Sequence, residues 1–269
     1  MSDFSTFSLL DPDFYASFEQ RAPGAEYLPA VAGLTAVGWT VVPGGVWTHV
    51  QPPGCAIAPQ GWKLHLSATP ANASDVLARV AGVVENEPVP FKFASDRTMV
   101  TVITSKNWPR EGGGKFITLY PSGDEQFHRL AHALSHATAG LDGPYILSDR
   151  RVPGPSRIVF YRFGEHQPAH QLDAWGQRVA QVVGPRGQKS ADRRQGYYRY
   201  PAWVDDPYGA APVPVLEGTR RVTLRDRYQV QGALKFSNLG GIYRAVDLES
   251  GARVVLRERR PFTGPEPTR

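Results

Sequence analysis

A single cysteine, Cys55, stands in 269 residues. One thiol cannot close a disulfide or build a cysteine-based zinc site within a chain. Long apolar runs are also missing. No stretch reaches the roughly 18 residues that a membrane-spanning helix needs, so no membrane partner is expected. The first ten residues carry Asp3 and no basic cluster, unlike a secretory signal peptide. The expected compartment is the cytoplasm. No internal repeat and no long block of one charge occurs.

What is present is the composition of a folded chain, 41% hydrophobic and 20% charged. The net charge is +5 and the isoelectric point about 9.4. A basic balance favours an anionic partner: nucleic acid, an anionic surface or a phosphorylated substrate. The cations, however, sit singly inside apolar runs, as in Trp62-Lys63-Leu64-His65-Leu66 and Phe91-Lys92-Phe93. Nucleic-acid contact usually wants an exposed basic face, and no nucleic-acid motif appears. Lone cations among apolar neighbours fit a defined pocket better.

Periodicity sets the element pattern. Residues 1–50, rich in aromatics, Gly and Pro, read as a cap. A strand is expected over 61–68 and a helix over 71–87, stopped by Pro88 and Pro90. Residues 91–93 begin extended structure, 99–104 read as a strand, and 115–120 as another. Ser122 and Glu125 form a possible capping box for a helix running to Gly140. A short strand falls within 143–155 and a longer one over 158–163. The stretch 164–212 reads as irregular, and strands return at 228–236, 241–247 and 252–256. Helices and strands do not alternate regularly. That predicts an α+β fold with a mainly antiparallel twisted sheet and flanking helices.

Several side chains have two readings each. On a strand, Lys63 and His65 share one face. They form either an exposed strand face or a pocket that binds an anion through Lys63 and moves a proton through His65. Lys92 is either a snorkelling surface lysine or one whose charged form is disfavoured by burial and nearby cations, leaving an amine able to take a proton. Gly112-Gly113-Gly114 matches no phosphate-loop pattern. Arg110 suits bidentate phosphate binding, and Tyr120 could bond a catalytic lysine or simply end an amphipathic strand. Arg162 repeats the pattern of a cation among aromatics, and Asp149 could orient one of these bases. His128, His132 and His136 share a helix face, but no carboxylate or cysteine completes a metal site at a recognisable spacing. They read as a solvated face, and no metal is expected.

Together these segments resemble one family. The lyase domains of class III and class IV lanthipeptide synthetases carry stretches much like Gln60-Gly61-Trp62-Lys63-Leu64-His65-Leu66-Ser67, Pro90-Phe91-Lys92-Phe93 and Gly114-Lys115-Phe116-Ile117-Thr118-Leu119-Tyr120. Gly143-Pro144-Tyr145-Ile146-Leu147-Ser148-Asp149-Arg150 and Tyr161-Arg162-Phe163-Gly164 follow in the same order. The likeness covers most of residues 20–210, and these domains are similar in turn to bacterial effector phosphothreonine lyases. Residues 228–260 resemble the opening strands of a protein-kinase N-lobe. Asn238-Leu239-Gly240-Gly241 stands for a divergent glycine-rich loop, and Arg257 falls where the β3 lysine is expected.

The resemblance implies a lyase domain over 1–210, a linker over 211–227 around an Ala/Pro/Gly-rich stretch, and an incomplete kinase N-lobe sheet over 228–269. The expected reaction is β-elimination of phosphate from phosphoserine or phosphothreonine of a precursor peptide, by a carbon–oxygen lyase acting on phosphate. Lys92 would be the base, His65 the acid, and Tyr120 a hydrogen-bonding partner of Lys92 or of the enolate. Lys63, Arg110 and Arg162 would clamp the phosphate, with Lys115, Lys106, Asp149 and Arg150 as weaker candidates. No cofactor is expected for the lyase, and ATP and magnesium would belong only to the rest of a kinase. The expected partners are the phosphorylated precursor peptide and the kinase and cyclase domains of a parent synthetase. The alternative is a non-catalytic module that binds phosphopeptide or leader peptide.

Overall fold

The segment Trp62-Lys63-Leu64-His65-Leu66 alternates apolar and titratable side chains, yet all five are buried, so both faces of this strand are covered. The computed structural model describes residues 18, 21–167, 170–172, 178–192, 195–209 and 222–264. Seven strands build one antiparallel sheet: β1 (Thr40–Val42), β2 (Trp47–Gln51), β3 (Gln60–Leu66), β4 (Phe91–Ala94), β5 (Ile117–Leu119), β6 (Arg150–Arg151) and β7 (Val159–Glu165). Their order is β1-β2-β4-β5-β3-β7-β6, which makes β3 and β5 central.

One sheet face is apolar. Trp62, Leu64 and Leu66 of β3 all point to it and are buried. Helices α2 (Ala73–Asn86) and α4 (Asp124–Ala137) cover it. Their apolar residues recur at helical spacing: Val76, Leu77, Val80 and Val84 on α2, and Phe127, Leu130, Ala131 and Leu134 on α4. Trp62 packs its ring against Phe127 at 6.2 Å and Tyr161 at 5.6 Å between ring centroids. His128, His132 and His136 lie exposed on the outer side of α4, the solvated face the sequence predicts. The mainly antiparallel α+β architecture is the expected one.

Several expectations need correction. Residues 1–50 are more than a cap, because β1, β2 and a short α1 (Ala32–Ala36) lie there, and β2 pairs with β4. Residues 99–104 are helical, not extended: α3 spans Arg97–Thr104. The β-branched run Val100-Thr101-Val102-Ile103 favours a strand locally. The Asp96 carboxylate overrides it by capping the helix, accepting from Met99 N at 2.9 Å, a contact worth about 1 kcal/mol. The Ser122/Glu125 capping box is absent. Gly123 is the N-cap of α4, and Ser122 N donates instead to the Gln126 side chain at 2.8 Å.

The stretch expected to be irregular holds a three-stranded sheet of β8 (His170–Leu172), β9 (Arg178–Val183) and β10 (Lys189–Ala191). The expected linker lies outside the described residues up to 221. Its last residues form β11 (Val222–Leu224), which joins β12 (Tyr228–Ser237), β13 (Gly240–Asp247) and β14 (Arg253–Arg257) in an antiparallel four-stranded sheet.

Candidate active site

Antiparallel pairing puts directly opposed residues on the same face. Across the sheet, His65 is opposite Thr118, and Thr118 is opposite Lys92. Two residues along β3, Lys63 is opposite Arg162. The register alone therefore gathers Lys63, His65, Lys92, Thr118 and Arg162 on the face away from α2 and α4. There they line a cavity of about 240 Å³ together with Tyr120, Lys115, Trp47, Trp108, Glu165 and His166. Lys63, His65, Lys115, Tyr120 and Arg162 are all buried. The Lys92 ammonium sits over the Trp47 ring, 4.7 Å from its centroid.

The sharpest geometry is at the back of the cavity. Asp149, 1% exposed, places Oδ2 2.5 Å from His65 Nδ1. Its other oxygen accepts from Ser148 Oγ at 2.6 Å and pairs with Lys115 Nζ at 2.9 Å. Burial opposes ionisation of Asp149, but Lys115 and His65 outweigh it and hold the carboxyl below its usual range. Burial also drives the His65 imidazole down to about 3, against the pull of Asp149 and helped by Lys115 and Lys63. The resting His65 is thus neutral at physiological pH. A carboxylate on Nδ1 fixes its proton there and leaves Nε2 as the atom that exchanges a proton with a ligand.

Two of the three cations of the expected clamp, Lys63 and Arg162, line the cavity and already have protein partners. Arg162 forms an ion pair with Asp192, whose other oxygen accepts from Glu165 N at 3.0 Å. Lys63 Nζ donates to the Glu165 carbonyl. Gly164 makes room for this arrangement, because a Cβ there would stand 2.5 Å from Asp192 Oδ2. His166 closes one side, its ring edge-on to Tyr120 at 5.3 Å. Burial and the nearby Lys63 lower its pKa to about 4. Asp192, Glu165, His166, Trp47, Trp108 and Thr118 escape a reading of the sequence, since none sits in a chemically telling pattern of its own. Close packing at Gly61, where a Cβ would come 3.1 Å from the His166 ring, and the ring contact with Tyr120 tie His166 to the recognised segments.

Three expected residues lie elsewhere. Arg110 does not line the cavity. Its guanidinium stacks over Phe236 at 4.7 Å, approaches Glu258 at 3.9 Å and donates to Ser237 O at 3.4 Å. Lys106 borders a separate cleft with Arg110 and Lys235. Arg150 stacks on Tyr198 at 5.2 Å. Among the described residues no helix is long and apolar enough to cross a membrane. Nor, among them, do three or more His, Cys, Asp or Glu side chains converge as metal ligands would.

Residues 28–217 match the RamC N-terminal domain. The chain belongs to that family. Across 267 residues it is 38% identical to the "Probable SapB synthase" of Streptomyces coelicolor, covering 97% of this chain and 28% of that protein. It therefore spans little more than a quarter of that relative's length. Among solved structures it is similar to the type III effector/phosphothreonine lyase OspF from Shigella flexneri, at 18% identity and a TM-score of 0.40 over 58% of this chain and 86% of that one. It is also similar to the VirA (SpvC) phosphothreonine lyase effector of Chromobacterium violaceum, at 20% identity and a TM-score of 0.37 over 46% of this chain and 65% of that one.

Proposed function

We propose that this chain is a phosphate-eliminating lyase domain of a lanthipeptide synthetase, converting phosphoserine or phosphothreonine of a precursor peptide to dehydroalanine or dehydrobutyrine. One observation carries the reading. A single cavity, on one face of one sheet, holds a candidate base (Lys92), a candidate acid backed by a carboxylate (His65 on Asp149), and the cations Lys63 and Arg162. Family membership and the synthetase relative add support.

The roles follow from the chemistry. The Lys92 amine takes the Cα proton, and the electrons of that C–H bond form the Cα=Cβ double bond. The Cβ–O bond breaks and its electron pair leaves with the phosphate oxygen, which takes a proton from His65 Nε2. Lys63 and Arg162 hold the phosphate by charge-assisted hydrogen bonds. Tyr120, on the same wall, donates to the enolate-like oxygen or bonds Lys92. His65 is neutral in the empty cavity, so the arriving phosphate must load it. A dianion beside the ring favours the imidazolium, and a monoanionic phosphate brings the proton itself. No metal or organic cofactor is needed for this step, and ATP and magnesium belong to the kinase portion of a longer synthetase. Thiol addition to the dehydro residues falls to a separate cyclase, and a cytoplasmic setting fits such a pathway.

The test is incubation with a phosphorylated precursor peptide, followed by mass spectrometry. Loss of phosphoric acid from the peptide is expected, with release of inorganic phosphate. Binding of the phosphopeptide with no elimination would replace this reading by that of a phosphopeptide-binding module.

A further inference from the structure

We propose that the turn between β12 and β13 is a working part of the lyase cavity, with Asn238 and Arg260 as positioning residues for the loops that carry Lys115 and Asp149. The proposal rests on the lyase reading above. It assigns a task to a segment that resembles a glycine-rich nucleotide loop but here grips another part of the chain.

The seat starts at a helix end. The last carbonyls of an α-helix lack partners within the helix and must find them elsewhere. At the end of α3, Ile103 O accepts from Gly114 N at 3.2 Å, and further donors come from Asn238 and Gly264, more than a hundred residues along the chain. Asn238 is fully buried. Its Nδ2 donates to Ile103 O at 3.2 Å and to Ser105 O at 2.9 Å. Its backbone N–H donates to Lys106 O at 3.3 Å, and Gly264 N donates to Thr104 O at 2.9 Å. The acceptor side of Asn238 is used as well. Arg260 Nη1 donates to Asn238 O at 2.7 Å and to Asn238 Oδ1 at 2.8 Å. The other nitrogen of this buried guanidinium donates to Tyr145 O. A buried polar network whose members are all satisfied specifies one geometry, and removing one member leaves the others unpaired at full cost.

Both strands of protein held this way lead into the cavity. The 105–115 loop brings Trp108, Gly112 and Lys115 to its wall. Tyr145 stands four residues before Asp149. The two meet where Lys115 pairs with Asp149 at 2.9 Å and Asp149 in turn holds His65 at 2.5 Å. The glycine run acquires a reason in the same place. A Cβ on Gly113 would lie 2.0 Å from Asn238 Oδ1, so only glycine lets the turn seat. Arg110, on the same loop, adds its contacts to Phe236, Ser237 and Glu258 of the sheet.

The experiment uses the full chain and a phosphopeptide, following elimination against pH. In Asn238→Ala the turn loses its side-chain bonds to Ile103 O, Ser105 O and Arg260 while keeping its backbone bond to Lys106 O, and Lys115 loses its fixed distance from Asp149. We expect kcat to fall about ten-fold, on the order of what buried hydrogen bonds contribute. Lys115 lowers the affinity of His65 for its proton, so the pKa read from the pH profile should move upward. A change that only weakened the fold would lower the amplitude and leave that pKa in place. Gly113→Ala should reproduce both effects with Asn238 intact. It should add little in the Asn238→Ala background, because the three nearest atoms a Cβ there would meet, at 2.0–2.9 Å, all belong to that side chain beyond Cβ. Arg260→Lys, which keeps one donor, should fall between. Folded variants with the wild-type kcat and pH profile would overturn the proposal. So would fast exchange of the Asn238 and Gly264 backbone amides, which donate to Lys106 O and Thr104 O, in the unaltered chain, a measurement that needs no variant to fold. If the unaltered chain eliminates no phosphate, the lyase reading fails, while exchange protection still decides whether the seat exists.

Discussion

His65 Nδ1 and Asp149 Oδ2 lie 2.5 Å apart although 84 residues separate them in the chain. The pairing fixes which ring nitrogen faces the cavity and turns a lone histidine on a strand into an oriented proton donor. Asp149→Asn keeps the size but can present an amide N–H to Nδ1, reversing the tautomer. Elimination should slow by about two orders of magnitude, the scale of general acid–base assistance. Phosphopeptide affinity should change little. Stopped-assay phosphate release and a direct binding titration separate the two.

Lys92→Ala removes the proposed base while leaving Lys63 and Arg162 in place. Turnover should become undetectable with binding retained. Lys63→Ala or Arg162→Ala should instead raise KM, an effect that persists at high salt because buried charges are screened little. A fully active Lys92→Ala enzyme would sink the mechanism.

Asp192 competes with a phosphate for Arg162, since both are anions seeking one guanidinium. Asp192→Asn keeps an acceptor for Glu165 N and removes the competing charge. Calorimetry with inorganic phosphate should show affinity rising several-fold, as the guanidinium is released from a largely buried carboxylate.

Stability should fall as pH falls below neutral. His65 titrates near 3 in the folded chain and near 6.5 when unfolded. Between those values the unfolded state binds a proton that the native state refuses, so unfolding is favoured. From pH 7 to pH 5 this group alone costs about 2 kcal/mol, and His166, lowered to about 4, acts in the same direction. Asp149 adds to the loss only below its unfolded pKa of about 3.9. Urea melts at the two pH values test this, and His65→Gln should flatten the slope.

Phe127 is fully buried against Trp62, Tyr161 and Tyr208 under the sheet. Phe127→Ala should destabilise by about 3–5 kcal/mol through lost burial and the cavity left behind. A loss below about 1 kcal/mol would mean that the layer under the catalytic face is not packed as described.

The segments that read well in the sequence are those whose pattern is local. Strand β3 announced itself by alternation, so Lys63 and His65 were legible as neighbours on one face. Helices α2 and α4 showed their apolar stripes. Helix α3 did not, because its β-branched run favours a strand, and the Asp96 cap that decides otherwise also accepts from Gly24 N at 2.8 Å, a contact 72 residues away in the chain. The bidentate guanidinium of Arg110 and the family resemblance both suggest a phosphate ligand, yet the four-stranded sheet holds that guanidinium.

The chemical inventory is written in the residue order: cations set singly among apolar residues, a histidine two positions from a lysine, and the ordered segments that resemble one family. Those properties follow from side-chain chemistry and the two-residue period of a strand. Which of these groups meet depends on the folded arrangement of the strands. Strand order β4-β5-β3-β7 brings Lys92, His65 and Arg162 to one wall although up to 97 residues separate them in the chain. Which carboxylate backs the histidine, which one occupies the arginine, and which distant turn secures the 105–115 loop are matters of long-range hydrogen bonding and close packing. No local period records them.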